Sequence, residues 1–246
     1  MEFLYFKEIR RLLDQVEQEE SGAMEAAVTA LTDAILKKNT IYVFGASHAG
    51  ILAEELFYRA GGLVVINPIF GRELMLDTSP ITHTSRMERL EGYGTLLVGK
   101  TSMKKGDVLI VHSVSGRNAV AIEAALEAKK RGALVICLTN LSYSKSVSSR
   151  HTCGKNLYEI SDIVIDNHGE KGDACVAIEG IEQKVSPTST VIGASILNSI
   201  VAATAQALVE AGVETPPIFY SANVDGGDEL NRRIYEEYKE NIHYNF

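Results

Sequence analysis

The chain has 246 residues, 46% hydrophobic and 23% charged, which is ordinary usage for a folded protein and enough for one large core. Its formal net charge of −8 excludes bulk nucleic-acid binding, which needs a basic surface, but leaves room for a small anion site fed by local dipoles. No apolar run is expected to reach the length that crosses a bilayer, and Glu2, Lys7, Glu8, Arg10 and Arg11 give the first residues too much charge for a signal peptide.

Residues 2–38 read as helix from Ile9, Leu12, Leu13 and Val16, then Ala27, Leu31 and Ile35, at three-to-four spacing. Ser21-Gly22 divides the stretch in two. A strand at Ile41–Phe44 runs into Gly45-Ala46-Ser47-His48-Ala49-Gly50 and a helix reaching about Arg59. Leu63–Ile66 reads as a second strand, stopped by Asn67-Pro68. Residues 69–105 are a long polar excursion, with a helix expected around 85–99; over thirty residues between strands favours a functional segment over filler.

Regularity returns with strand Val108–Val111, the loop His112-Ser113-Val114-Ser115-Gly116-Arg117-Asn118, helix Ala119–Arg131 and strand Leu134–Leu138, a βαβ unit with continuously apolar strands. The serine-rich stretch Ser142–Ser149 reads as an exposed loop, and Ile163–Ile165 as a fifth strand. Ser186-Pro187-Thr188-Ser189-Thr190 opens an apolar helix of about 190–211. Pro216-Pro217 closes the core, and a charged helix is expected over Asp228–Ile242. The expected fold is α/β: a three-layer α-β-α sandwich on a five-stranded, mainly parallel sheet, flanked by helices at both ends. One domain is expected, with helices over 1–38, the core over 39–212 and an extension over 213–246.

A strand that delivers glycine and serine to a helix start aims backbone N–H groups, hydroxyls and a positive helix end at one point, which suits a phosphate. Gly45, Ser47, Ser113, Ser115, Gly116, Asn118 and Ser189 are the candidate phosphate ligands. Helix capping is the competing explanation for the serines and the asparagine, and the two roles are compatible. Cys137 reads as a small buried hydrophobe, and neither Cys153 nor Cys175 has a ligand-spaced neighbour. No metal or other cofactor is expected, and the sparse cysteines suit a reduced, cytoplasmic protein.

Gly45-Ala46-Ser47, Ser113-Val114-Ser115-Gly116 and Pro187-Thr188-Ser189-Thr190 together resemble the sugar isomerase (SIS) domain family over residues ~35–211. The layout is similar to the phosphoheptose-isomerase branch and to a set of uncharacterised SIS proteins carrying the Gly-Ala-Ser-His-Ala-Gly loop. The resemblance implies a sugar phosphate as ligand and a homodimer or homotetramer as assembly, with no nucleic-acid or membrane partner. The implied activity is aldose–ketose isomerisation by general acid/base proton transfer; a non-catalytic sugar-phosphate sensor or an SIS-type ether lyase is the alternative. In phosphoheptose isomerases the second Glu of an Ala-Glu-Glu-Leu run moves the proton. Here Ala53-Glu54-Glu55-Leu56 lies two residues nearer the serine, about 200° round a helix. Proton transfer needs a group with a suitable pKa, and His48, Glu54, Glu55, His83 and Glu88 are the candidates. Gly45 to Gly50 lacks the middle glycine of a dinucleotide-binding loop, and no Gly-x-Ser-x-Gly elbow is present.

Overall fold

A computed structural model describes residues 2–244. Two helices, α1 (Leu4–Glu19) and α2 (Ser21–Leu36), part at Glu20, beside the expected break. Strands β1 (Ile41–Gly45), β2 (Ile66–Pro68), β3 (Val108–His112), β4 (Leu134–Thr139) and β5 (Ile163–Asp166) form one sheet in the order β2-β1-β3-β4-β5, with every pairing parallel. The five-stranded α/β sandwich expected from the sequence is therefore the fold.

Successive strand residues point to opposite faces, so each strand feeds both sides of the sheet. Ile41, Val43, Ile110, Ile136 and Leu138 join α1, α2, α3 (Ile51–Leu56) and α8 (Ser189–Glu210) in one buried cluster. Tyr42, Phe44, Leu109, Val111, Val135 and Cys137 join α5 (Tyr93–Gly99) and α6 (Ala119–Lys130) in the other. Burial pushes the Cys137 thiol up to about 12, so it stays an inert thiol.

Several elements differ from expectation. The run Leu63–Val65 is buried but lies ahead of β2: Leu63 bridges Ile218, and Val64 N donates to Pro217 O at 2.7 Å. Asn67 and Pro68, expected to stop the strand, belong to it. The helix after β1 is α3 alone, ending where Phe57 turns extended. The excursion holds α4 (Thr82–Met87) and α5, separated at Gly92, whose φ of +90° interrupts the helix. Within the serine-rich stretch, α7 (Leu141–Lys145) forms because Asn140 accepts from Tyr143 N at 2.8 Å. A hairpin of β6 (Ala174–Val176) and β7 (Val185–Pro187) was not foreseen.

By length and composition α8 could cross a bilayer, contrary to expectation. In the fold Ile192, Ile196, Leu197 and Ile200 of α8 are buried in the core. The last helix, α9 (Gly227–Tyr238), places Ile234 and Tyr238 in that same cluster, with Ile242 just beyond it.

Candidate functional site

In a sheet of this order the chain leaves β1 in opposite directions for β2 and β3. Ligands favour the crevice beyond the carboxyl ends of strands at such a switch point. Gly45 and Ser113 lie at this point, because Gly45 pairs with His112 in register. Both glycine–serine loops therefore leave the sheet side by side.

The first loop turns back at once. A Cβ on Gly45 would lie 2.3 Å from Ala49 O, so only glycine lets the Ser47–Gly50 turn fold down. Ser47 has a φ of +52°. The second loop is held by the end of β4: Thr139 Oγ1 donates to Ser113 O at 2.7 Å and Val114 O at 3.1 Å. Gly116 has a φ of +60°, and a Cβ there would come 2.9 Å from Ser144 Oγ. Its role is to turn the backbone toward α6.

The two loops open onto one cavity of about 310 Å3, lined by Ser47, His48, Ser113, Ser115 and Asn118 with Glu88, His112, Tyr143 and Asp173. Asn118 stands at the cap position of α6, yet its side chain makes no cap bond. Its Nδ2 instead donates to Glu88 Oε2 at 2.7 Å, while Ser47 Oγ donates to Glu88 Oε1 at 2.5 Å. The carboxylate of Glu88 thus bridges the two loops, and Glu88 O accepts from Val120 N at 3.1 Å in the first turn of α6. A negatively charged acceptor sits where serine, asparagine and helix start converge, which is the chemistry an anion site requires. Arg150 Nη1 donates to Asn118 Oδ1 at 2.9 Å. Burial, then its neighbours Arg117 and Arg89, lower the Arg150 pKa, so guanidinium groups gather behind the lining.

Other expected residues go elsewhere. Glu55 forms an ion pair with Arg59 and accepts from Asn198 Nδ2 at 3.0 Å, away from the cavity. Glu54 shares a small adjoining cleft with Gly45, Ser47 and Phe70. His83 is half-buried in α4 and does not line the cavity. Ser189 is buried, with its hydroxyl committed: Oγ donates to Asp173 Oδ2 at 2.5 Å and N to Oδ1 at 2.8 Å. Asp173 therefore caps α8 from across the hairpin and lines the cavity as well. Among the described residues no cluster of three or more His, Cys, Asp or Glu side chains is placed to hold a metal.

His112, Tyr143 and Asp173 line the cavity without standing among the expected ligands or proton-transfer groups. His112 stands inside the second loop motif as quoted, directly before Ser113, and a polar residue ending a buried strand was the available signal. Its ring is 1% exposed, and Nδ1 lies 3.0 Å from Ala49 O. Burial lowers its pKa, against smaller opposing effects of the Ala49 carbonyl and Asp173.

The SIS domain family model matches residues 4–140. A UPF0309 protein of Shouchella clausii is 54% identical over 240 residues, covering 98% of this chain and 97% of its own. One from Oceanobacillus iheyensis is 52% identical over 240 residues, covering 98% and 97%. Among solved structures, a phosphoheptose isomerase from Neisseria gonorrhoeae superposes with a TM-score of 0.52 at 19% identity, covering 84% of this chain and 96% of that one. A phosphoheptose isomerase from Francisella tularensis gives 0.52 at 15% identity, covering 82% and 95%. The chain belongs to the SIS domain family. At full length it is similar to the UPF0309 proteins, and in fold to the phosphoheptose isomerases.

Proposed function

We propose that this protein binds a phosphorylated sugar at the β1/β3 crevice and interconverts its aldose and ketose forms by general acid/base proton transfer. The observation that carries the reading is the Glu88 carboxylate bridging Ser47 Oγ and Asn118 Nδ2, which marks a place where an anion is accepted from both loops at once. A phosphoryl group would take those donors together with the hydroxyls of Ser113 and Ser115, neither of which has a protein partner among the described residues. Displaced from them, Glu88 becomes available as a proton-transfer group at the cavity edge, with His48 on the rim. Ser189 enters this reading only through Asp173, as support for the wall.

The test is exchange of carbon-bound hydrogen with heavy water, followed by proton NMR over a panel of aldose and ketose phosphates. Isomerisation predicts exchange at the carbon beside the carbonyl, and absence of exchange across the panel overturns it. The sensor reading is favoured by one observation: Glu55 is tied to Arg59 and Asn198. It predicts thermal stabilisation by a sugar phosphate without exchange. Assembly as a homodimer or homotetramer and a cytoplasmic location complete the proposal, and light scattering and cell fractionation check them.

A further inference from the structure

The lining of the cavity holds two carboxylates, Glu88 and Asp173, and no lysine or arginine. A phosphoryl monoester brings a charge of about −1.5 to −2 at neutral pH into that field. The start of α6 offers only about half a positive charge. The guanidinium of Arg150 stands behind Asn118, donating to its Oδ1. Two lining groups can become cations in place, His48 and His112. His48 is exposed, so a proton there is screened by water. His112 is buried beneath the loops.

The ring of His112 is fixed by one contact. Ala49 O can only accept, so Nδ1, 3.0 Å away, carries the hydrogen. In the neutral ring Nε2 is then a bare lone pair, and it is buried with no partner among the described residues. A buried, unpartnered acceptor is unfavourable, and it sits in a residue that lines the anion cavity. We propose that His112 supplies the countercharge of this site: a tetrahedral dianion binds together with one proton, which goes onto His112 Nε2 and is donated to the anion. The proton comes from the buffer, and the Nδ1–H bond to Ala49 stays in place throughout.

The inference rests on the reading of the cavity as an anion site. Without ligand, burial keeps the imidazole neutral. An adjacent dianion offsets that cost and raises the pKa, so anion and proton favour each other by the same factor. The charged and titratable groups that line the cavity with His112 are Glu88 from the α4 end, Asp173 from the segment before β6, Tyr143 from α7 and His48 from the first loop, and of these Asp173 acts on the ring. Asp173 is committed to Thr188 N and Ser189 at the start of α8, and Glu88 leaves the donors when an anion takes them.

Sulfate is the probe, because it remains a dianion across the range and every proton counted belongs to the protein. The full chain is titrated with sulfate by calorimetry at pH 6.5, 7.5 and 8.5. Between the free and bound titration points the wild type is expected to lose about tenfold in affinity per pH unit. His112→Gln is expected to lose that slope, while His48→Gln and Glu88→Gln keep it. In parallel, nitrogen NMR of histidine-labelled wild type should move Nε2 from its unprotonated to its protonated position on saturation; this decides the matter alone if His112→Gln does not fold. Failure of sulfate to bind the wild type at all overturns the anion-site reading and this inference with it. Sulfate binding with a flat pH profile, a slope retained in His112→Gln, or an Nε2 left bare at saturation overturns this inference only.

Discussion

Glu88 and His112 both line the crevice, and each leads to an expectation at the scale of a single side chain. The Glu88 carboxylate occupies Ser47 Oγ and Asn118 Nδ2 and adds a negative charge to the cavity. Glu88→Ala removes competitor and charge together, so sulfate should bind at least about tenfold tighter, ~1.4 kcal/mol, by calorimetry. Unchanged or weaker binding would mean that the carboxylate is no competitor for those donors. The sign for His112 without ligand runs the other way from the usual stabilising histidine. Its pKa in the fold is below the unfolded 6.5, so the unfolded chain binds more protons as pH falls through that value. Stability from its neutral form is complete above about pH 6.5 and is lost below it. Urea midpoints measured at pH 7.5 and 5.5 should fall more for wild type than for His112→Gln.

Among elements, the α5–α6 contact shows how the excursion is fixed in place. Glu123 on α6 accepts from Gly94 N at 2.9 Å and from Gly92 N, satisfying the open start of α5. A Cβ at Gly94 would meet Val120 O at 2.3 Å, so the two helices approach as closely as glycine permits. Glu123→Ala leaves the buried Gly94 N–H unpaired and should cost about 1–3 kcal/mol in denaturant unfolding. A change within error would move the anchoring of the excursion to other contacts. Strands β1, β3, β4 and β5 and the two loops were legible in the sequence, because continuous apolar runs ending in polar turns have few other solutions, whereas β2 begins only at the last residue of the run Leu63–Ile66. The break at Gly92, the cap of Asn140 on α7 and the β6–β7 hairpin were not, since each depends on a local turn or a distant partner. The site was half legible for the same reason. Ser47, Ser113, Ser115 and Asn118 announce themselves by spacing and Glu88 by its place in the long polar excursion, whereas nothing in its neighbourhood singles out Tyr143, and His112 shows only as a polar residue ending a buried strand. Asp173 matters only because Thr188 and Ser189 come to meet it.

For the whole molecule, the charged C-terminal stretch is part of the main core. Ile234 is 2% exposed and shares a cluster with Ile41, Val43 and Leu197. Tyr244 Oη donates to Val64 O at 2.7 Å, and Asn241 Nδ2 to Asn39 O at 2.7 Å, tying the end of the chain to the segments on either side of β1. Ile234→Ala should therefore cost about 2–5 kcal/mol, with one unfolding transition by both fluorescence and circular dichroism. A loss near zero, or two separate transitions, would make that stretch an independent appendage.

The pairing of Gly45 with His112 acts as a ruler. Neighbouring strands stand about 4.8 Å apart, so the loops that carry Ser47 and Ser113 start from adjacent points fixed by the hydrogen-bond ladder. The register of β1 against β3, and not a flexible linker, therefore sets how far apart the two loops begin.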